Sequence, residues 1–201
     1  MCARYLIDDE AYAGLLEMIM PTPEDMSSAA GAHLSAPAGE VEIFPSNTAP
    51  VIARGGAEAM KWGFPHWKNQ SVIINARSET ALEKSMFKKP LMERRCVVPS
   101  CGFFEWRRTS GGKKKDKFLL RRPDEHMLYM AGMVNIFRDA AGADYSAFVI
   151  LTTAANDSVS PIHDRMPLIV AADELDQWIN DNRFMEYALG RTGPELIATL
   201  I

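Results

Sequence analysis

The sequence predicts a single α+β domain with a mostly antiparallel, barrel-like β-sheet core and peripheral helices. Short runs of β-branched and aromatic residues recur from position 41 onward, which is typical of strands. Glycine-containing turns at 111–112 and 141–142 separate several of these runs, and few stretches have helical spacing. A chain of 201 residues is long enough for one domain around one core. We therefore expect residues 1–201 to form one unit.

Each element is predicted from its local pattern. Helices are predicted at 9–20 and 172–179 from apolar spacing, and after Ser78 from an Ala/Leu/Glu/Lys-rich stretch. Pro90 is expected to begin or break a helix, and Pro194 to begin another over 194–200. The strands from 103 to 153 are expected to be consecutive antiparallel segments. The predicted strands are 41–44, 51–53, 59–64, 72–74, 95–98, 103–107, 117–121, 127–134, 147–153 and 166–170.

Composition excludes several classes of protein. Hydrophobic residues make up 47% and charged residues 24% of the chain, and no apolar run approaches the ~20 residues of a membrane span. Three cysteines are too few for a disulfide framework. Cys96 and Cys101 have the spacing of a metal pair but lack a second pair or a nearby histidine, so we expect no metal and no cofactor. We expect a cytoplasmic, nucleoid-associated monomer that does not enter membranes.

Cys2 follows the initiator methionine, and this position gives its thiol a distinctive chemistry. A small second residue permits removal of Met1, which leaves one residue with both an α-amine (pKa about 7.7 to 8.0) and a thiol (pKa about 8.5). An aldehyde forms an imine with such an amine, and the sulfur then closes a five-membered thiazolidine ring. Because both atoms belong to one residue, this closure is intramolecular. Packing as a small buried hydrophobe is the alternative role.

Three further polar residues occupy positions suited to proton transfer or orientation. Strand alternation places Glu105 on the same face as Phe103 and opposite Trp106, and apolar neighbours suit a general acid or base. His163 lies in a loop between two strands and can move protons near neutral pH. Asn75 ends a strand, where its amide can orient Cys2. The alternatives are an arginine-paired strand glutamate, a surface-loop histidine and a turn cap.

Candidate contacts to phosphates and bases lie close to these residues in sequence. Arg4, Arg77 and Arg165 each fall within two residues of a candidate catalytic group, which predicts phosphate contacts around one site. Pro45 and Trp67 are rigid apolar groups that can wedge between bases or stack on them. The net charge of −4 gives no general attraction to phosphate, so such a surface must be local. A basic run over 107–122 is either a solvated hairpin or a phosphate track.

Six segments, in order along the chain, resemble motifs of the SRAP family (SOS-response-associated peptidase domain), whose members sense abasic sites in single-stranded DNA. The resemblance extends from residue 2 to about 170. It departs from the family pattern in having Ala3 rather than Gly and a 62–67 segment one residue shorter than usual. The similar segments are 2–5 (Cys-Gly-Arg-aromatic in the family), 45–52 (Pro-Ser-x-x-x-Pro-Val), 61–67 (Arg-Trp-Gly-Leu-x-Pro-x-Trp), 75–80 (Asn-Ala-Arg-x-Glu-Thr), 95–106 (Arg-Cys-x-x-Pro-x-x-Gly-Phe-x-Glu-Trp) and 162–167 (Ile-His-x-Arg-Met-Pro).

This resemblance implies an abasic-site DNA–protein crosslinking enzyme with single-stranded DNA as its partner. It implies that Cys2 forms a thiazolidine with ring-opened deoxyribose and that Asn75 positions its amine and thiol. Glu105 and His163 would manage the protons of ring opening and closure. The adduct would shield the lesion from strand cleavage. The implied phosphate contacts and wedges are Arg4, Arg77 and Arg165, and Pro45 and Trp67.

Two other functions remain open from the sequence. Cys2, His163 and Asn75 imitate a thiol-protease arrangement, which fits a cysteine peptidase acting on its own N-terminus. A non-catalytic single-strand-binding module would use the arginines and tryptophans and bind intact and abasic strands alike. Retention of Met1 separates the peptidase from the crosslinking enzyme, because only thiazolidine formation needs a free α-amine.

Overall fold

The computed structural model describes residues 2–11, 39–68, 71–109 and 115–201. Its helices with regular α geometry are α1 (Ser85–Glu93), α2 (Leu175–Asn180) and α3 (Asn182–Leu189), with short 3₁₀ turns at Ser78–Thr80 and Ala172–Glu174. Its strands are β1 (Tyr5–Ile7), β2 (Val41–Ile43), β3 (Thr48–Ala53), β4 (Gly56–Trp62), β5 (Phe64–Pro65), β6 (Val72–Ile73), β7 (Asn75–Arg77), β8 (Arg95–Ser100), β9 (Gly102–Arg108), β10 (Lys115–Arg121), β11 (Leu128–Arg138), β12 (Asp144–Ala154), β13 (Arg165–Pro167), β14 (Ile169–Val170) and β15 (Ile197–Leu200).

The strands form two main sheets and one small hairpin. A five-stranded sheet has the order β15-β10-β9-β1-β2, and an eight-stranded sheet has the order β13-β12-β4-β3-β8-β11-β14 with β7 paired to β12. β5 and β6 form the separate hairpin. All pairings are antiparallel except those of β12 with β4 and with β7. The predicted α+β, mostly antiparallel, barrel-like architecture is confirmed.

Alternation along the five-stranded sheet separates its two faces as predicted. Phe103, its pairing partner Leu120, and Phe118 belong to the main core, which also contains Cys2. Phe104 and Trp106 lie in a smaller apolar cluster on the other face. Glu105 pairs with Phe118 and is only 2% exposed, so its carboxyl group enters the side of the sheet that faces the main core. The predicted orientation of Glu105 is therefore confirmed.

Two sequence predictions about local structure are wrong. The 194–200 segment is not a helix but contains β15, which pairs with β10, and the amide of Ile201 donates to the carbonyl of Lys117 at 2.9 Å. So short a helix is marginal in water, whereas an edge strand gains a ladder of backbone hydrogen bonds. Pro90 neither begins nor breaks a helix but lies inside α1, and the Arg94 amide still donates to the Pro90 carbonyl at 2.8 Å.

Other predicted elements differ in extent. The 59–64 strand divides at Gly63, whose φ of +114° ends β4 and lets β5 leave in another direction. The predicted 166–170 strand divides into β13 and β14. Residues 9–11 are helical, and the remainder of the predicted 9–20 helix lies outside the described residues. Across the part of the chain that is described, no helix is long and apolar enough to cross a membrane.

Candidate functional site

Cys2 lies at the entrance to β1, inside the main core. Its side chain is fully buried, and its thiol faces the Arg4 carbonyl with an Sγ–O distance of 3.7 Å. Burial raises the pKa of the Cys2 thiol far above its usual value, and the negative charge of Glu105 raises it further. The thiol therefore holds its proton at neutral pH. A group must accept that proton before the sulfur can form a bond.

Asn75 connects Cys2 to the other sheet. It is the first residue of β7, which is held beside β12 by pairing with Ile150, and its Nδ2 donates to the Cys2 carbonyl at 2.8 Å. Asn75 Oδ1 is buried and has no hydrogen-bond partner among the described residues. A buried amide oxygen without a donor is costly, and it is an acceptor available to an amine or hydroxyl that enters the site. Asn75 thus fixes the Cys2 backbone and presents a second polar atom.

Glu105 reaches the site from the five-stranded sheet, whereas Asn75 reaches it from the eight-stranded sheet. It lies on β9, which is the direct neighbour of β1, and the Phe104 amide donates to the Arg4 carbonyl at 2.9 Å. Its carboxyl group is buried beside apolar residues, and its charge acts on the Cys2 thiol. The structure therefore brings three of the four predicted catalytic residues together at the junction of the two sheets: Cys2, Asn75 and Glu105.

His163 lies in the loop between β12 and β13, with its side chain 27% exposed. Its Nδ1 is 3.0 Å from the Arg165 amide nitrogen and 2.9 Å from Asp164 Oδ1. These contacts need different states of Nδ1, because an unprotonated Nδ1 accepts from the amide whereas a protonated Nδ1 donates to the carboxylate. The amide donor is fixed by the backbone while Asp164 is 85% exposed, so we assign the neutral form, with the proton on Nε2.

Arg77 and Arg165 lie near the same end of β12. Arg77 pairs with Thr152 and is exposed, while Arg165 begins β13 and pairs with Ala154. Arg165 makes a two-pronged ion pair with Glu79, with distances of 2.6 and 2.8 Å, and its Nη2 also donates to the Thr152 carbonyl at 2.6 Å. The Arg165 guanidinium lowers the pKa of Glu79, so that the carboxylate stays charged. Sequence spacing had placed both arginines near the site but did not indicate this ion pair.

Arg4 lies just before β1, and its side chain contacts Trp106 on the face of the five-stranded sheet opposite Glu105. Its guanidinium carbon is 4.6 Å from the centre of the Phe44 ring and 5.1 Å from that of Trp106, distances at which the cation attracts both rings. Nη1 is also 3.5 Å from a Glu42 carboxylate oxygen, and Lys117 pairs with the same carboxylate. The Arg4 side chain remains 39% exposed. Arg4 thus presents a partly exposed positive charge whose ion pair with Glu42 is long, at 3.5 Å.

Pro45 and Trp67 lie on two turns next to β4. The turn of Pro45 is held by the Ser46 amide, which donates to the Trp62 carbonyl at 2.8 Å. Trp67 follows β5 and is 76% exposed, with the Lys68 ammonium group 4.4 Å from its ring centre. The Trp67 ring is therefore accessible to a binding partner. Pro45 is half-buried, so Trp67 is the more accessible of the two.

In the basic run over 107–122, four of the six basic residues that the structure describes are paired with carboxylates. Within the described part of this run, four residues form ion pairs with acidic side chains at the surface. Such pairing leaves little net field to attract a phosphate chain and favours the solvated-hairpin interpretation. The pairs are Arg107–Asp116, Lys117–Glu42, Arg121–Glu40 and Arg122–Glu125.

Two residues near the site were not singled out from the sequence. Glu79 lies within the 75–80 segment, so its proximity to Asn75 was a usable signal, but its partner Arg165 is 86 residues away. The Tyr5 hydroxyl is buried and has no hydrogen-bond partner in the described ranges, and the Cys2 thiol contributes to the raised pKa of Tyr5 after burial itself. No group of three or more His, Cys, Asp and Glu side chains among the described residues is arranged to hold a metal ion.

Fold and site together define an α+β protein built around a buried cysteine in second position, with an amide and a carboxylate beside it. The chain belongs to the SOS response associated peptidase (SRAP) family, whose family model matches residues 1–191.

Similar proteins with assigned names come from bacteria and from a vertebrate. The abasic site processing protein YoaM of Bacillus subtilis is 30% identical over 168 residues, which cover 79% of this chain and 70% of YoaM. The abasic site processing protein YedK of Escherichia coli is 34% identical over 119 residues, covering 59% of this chain and 52% of YedK. The abasic site processing protein HMCES of Gallus gallus is 32% identical over 148 residues, covering 60% and 44%. The matches thus span about half or less of the last two relatives.

Solved structures share the fold. A crystal structure of a Bacteroides thetaiotaomicron protein has a TM-score of 0.82 and 25% identity, and the match covers 100% of this chain and 92% of that one. A crystal structure of a Bordetella bronchiseptica protein has a TM-score of 0.76 and 21% identity, with coverage of 100% and 99%. The two-sheet architecture is therefore common to these proteins.

Proposed function

We propose that this protein processes abasic sites in single-stranded DNA by forming a covalent thiazolidine between Cys2 and the ring-opened deoxyribose. The proposal rests mainly on the surroundings of Cys2. Asn75 donates a hydrogen bond of 2.8 Å to the Cys2 carbonyl, and the Glu105 carboxylate interacts electrostatically with the Cys2 thiol. Membership of the SRAP family and the abasic site processing names of its relatives support the same substrate.

The reaction uses both reactive atoms of Cys2 after removal of Met1. The α-amine adds to the aldehyde carbon of the opened sugar, and loss of one water gives an imine. The thiol then adds to the imine carbon, forming a C–S bond, while the thiol proton is transferred to the nitrogen. The net reaction joins the aldehyde and the aminothiol with release of one water. No bond of the DNA backbone is broken.

Glu105 is proposed to move the protons of this sequence. A buried thiol that holds its proton at neutral pH needs a nearby base, and Glu105 is the carboxylate whose charge reaches the Cys2 thiol. The same carboxyl group, once protonated, can donate to the sugar oxygen during ring opening.

His163 and the surrounding cationic and aromatic groups are proposed to hold the strand. His163 presents its Nε2–H in the neutral form, which suits donation to a sugar hydroxyl or a flanking oxygen. Arg4, Arg77 and Arg165 are proposed to contact the phosphates on either side of the lesion. Pro45 and Trp67 are proposed to wedge against or stack on the neighbouring bases. Local contacts of this kind suit a chain whose net charge is −4.

A crosslinking assay tests the proposal directly. Protein lacking Met1 is incubated with a single-stranded oligonucleotide that carries one abasic site, and the products are separated under denaturing conditions. The expected result is a slower-migrating adduct whose mass equals protein plus DNA minus one water. Cys2→Ala is expected to give no adduct, whereas Cys101→Ala, which removes another buried thiol, is expected to crosslink normally. Equal adduct from wild type and Cys2→Ala would overturn the proposal.

The same assay separates the other two functions. Protein that retains Met1 has an amide in place of the α-amine and is expected to form no adduct. A peptidase would instead remove Met1 from a precursor in a manner that depends on Cys2. A simple binding module would retain intact and abasic strands equally and yield no denaturation-resistant product.

A further inference from the structure

Arg165, a proposed phosphate contact, is already occupied within the protein. Glu79 Oε1 accepts from Nη1 at 2.6 Å and Glu79 Oε2 accepts from Nη2 at 2.8 Å. A further N–H of Nη2 donates to the Thr152 carbonyl at 2.6 Å. The Arg165 side chain is only 13% exposed, while Glu79 is 45% exposed and forms the outer half of the pair. A phosphate approaching from solvent therefore meets Glu79 first.

A carboxylate and a phosphate compete for the same face of a guanidinium group. Both offer two oxygens at the spacing that the planar N–H fork of arginine matches, and both interactions are assisted by charge. The two anions cannot share the fork, because two negative charges at that distance repel each other. DNA can use this face of Arg165 only after Glu79 has moved away.

We propose that Glu79 is an internal competitor for phosphate at Arg165 and lowers the affinity of the site for DNA. This inference rests on the proposed function, since it requires a DNA strand to pass the site. Glu79 holds the Arg165 guanidinium in position when no DNA is present, which avoids an unpaired, largely buried charge. Each DNA strand that binds exchanges one ion pair for another. Arg165 therefore adds little to the affinity for DNA, and it adds to it only when a phosphate of the strand reaches its guanidinium group.

The exchange has a measurable signature in salt dependence. A phosphate contact made by a free arginine releases counterions and contributes about 0.7 to the salt slope for a single strand. When the arginine must first leave a carboxylate, the freed carboxylate takes up cations and this contribution largely cancels. Removing the Glu79 charge should therefore steepen the slope by about 0.7. Removing a competing ion pair of this kind should also tighten binding by about fivefold at low salt.

The test measures non-covalent binding, so that it does not depend on crosslinking. All proteins carry Cys2→Ala, and the ligand is a single strand with a tetrahydrofuran abasic analogue that has no aldehyde. Affinity is measured by fluorescence anisotropy over a range of salt concentrations. Glu79→Gln is expected to bind about fivefold more tightly at low salt, with a slope steeper by about 0.7. Glu79→Asp keeps the charge and is expected to keep the wild-type slope.

A double-mutant cycle assigns the effect to the Glu79–Arg165 pair. In an Arg165→Gln background, Glu79→Gln is expected to give no gain in affinity. Asp144→Asn is the matched control, because it removes the same single charge from another arginine-paired carboxylate. Asp144 lies eight residues before Thr152 on β12, about 26 Å away.

Three outcomes would overturn the inference. They are unchanged or weaker binding by a folded Glu79→Gln protein, the same gain in the Arg165→Gln background, and the same gain from Asp144→Asn. A protein that crosslinks abasic DNA but gives one of these outcomes loses only the role of Glu79. A protein that shows the Glu79 effect without crosslinking loses only the covalent mechanism.

Discussion

Asn75 offers the sharpest test of the site because one hydrogen bond joins it to Cys2. Its Nδ2 donates to the Cys2 carbonyl at 2.8 Å across 73 residues of sequence. Asn75→Ala removes this donor and leaves the carbonyl without its partner. Asn75→Asp keeps the shape of the side chain but places an acceptor opposite the carbonyl, which replaces an attraction with a repulsion.

The magnitudes differ for stability and for reaction. An unpaired carbonyl in this setting costs about 1 to 3 kcal/mol, but Asn75→Ala also removes a buried oxygen that lacks a partner in the described chain. These effects partly cancel, so the free energy of unfolding should fall by about 1 kcal/mol. For the reaction rate no second effect offsets the loss, because nothing else replaces the hydrogen bond that orients Cys2. A loss of 1 to 3 kcal/mol in the transition state corresponds to a rate about 5- to 150-fold lower.

The assay is the single-turnover rate of adduct formation at saturating abasic oligonucleotide, measured beside urea unfolding. Asn75→Ala is expected to slow adduct formation at nearly normal stability, and Asn75→Asp is expected to be at least as slow. Asn135→Ala is the control. Asn135 lies on β11, outside the site, and its side-chain oxygen accepts a hydrogen bond from Arg94. A folded Asn75→Ala protein that reacts at the wild-type rate would refute the positioning role.

Three other changes have outcomes that follow from the structure. Glu105→Gln removes a negative charge that raises the pKa of Cys2, but burial still raises that pKa, so the single-turnover rate of adduct formation should fall because the proposed base is lost. A normal adduct rate would contradict the role of Glu105. Gly63→Ala should destabilise the protein by at least about 2 kcal/mol in urea unfolding, since its φ is +114° and a Cβ would lie 2.7 Å from Val72 Cβ. Arg95→Met should cost at least about 3 kcal/mol by the same measurement, because four oxygens lose the buried guanidinium as donor; a smaller loss would mean that those oxygens find other donors.

Local periodicity was sufficient to predict which face of a sheet a residue occupies, because that face depends only on alternation along the residue's own strand. Glu105 was assigned to the inward face from the alternation of 103–107, and its pairing with Phe118 confirms that face. Local pattern was insufficient for 194–200, where a proline suggested a helix start and β10 instead supplied a partner strand. Backbone hydrogen bonds to a distant strand outweigh the weak preference of a short segment for helix.

The ion pair of Arg165 shows a second kind of limit. Its position beside His163 indicated a location near the site, but its charge was interpreted as available to phosphate. Whether an arginine is available depends on which carboxylates the fold places around it. Glu79 is 86 residues away in sequence, so no local pattern reports the pair.

The sequence by itself suggested the chemistry proposed for Cys2 and determined the face on which Glu105 lies, because position in the chain and strand alternation are local properties. Only the tertiary structure decided that Asn75 holds the Cys2 carbonyl, that burial keeps the Cys2 thiol protonated, and that Glu79 occupies Arg165. The reason is physical. Hydrogen bonds, desolvation and ion pairing depend on distances between residues that are far apart in sequence, and the packing of the two sheets sets those distances.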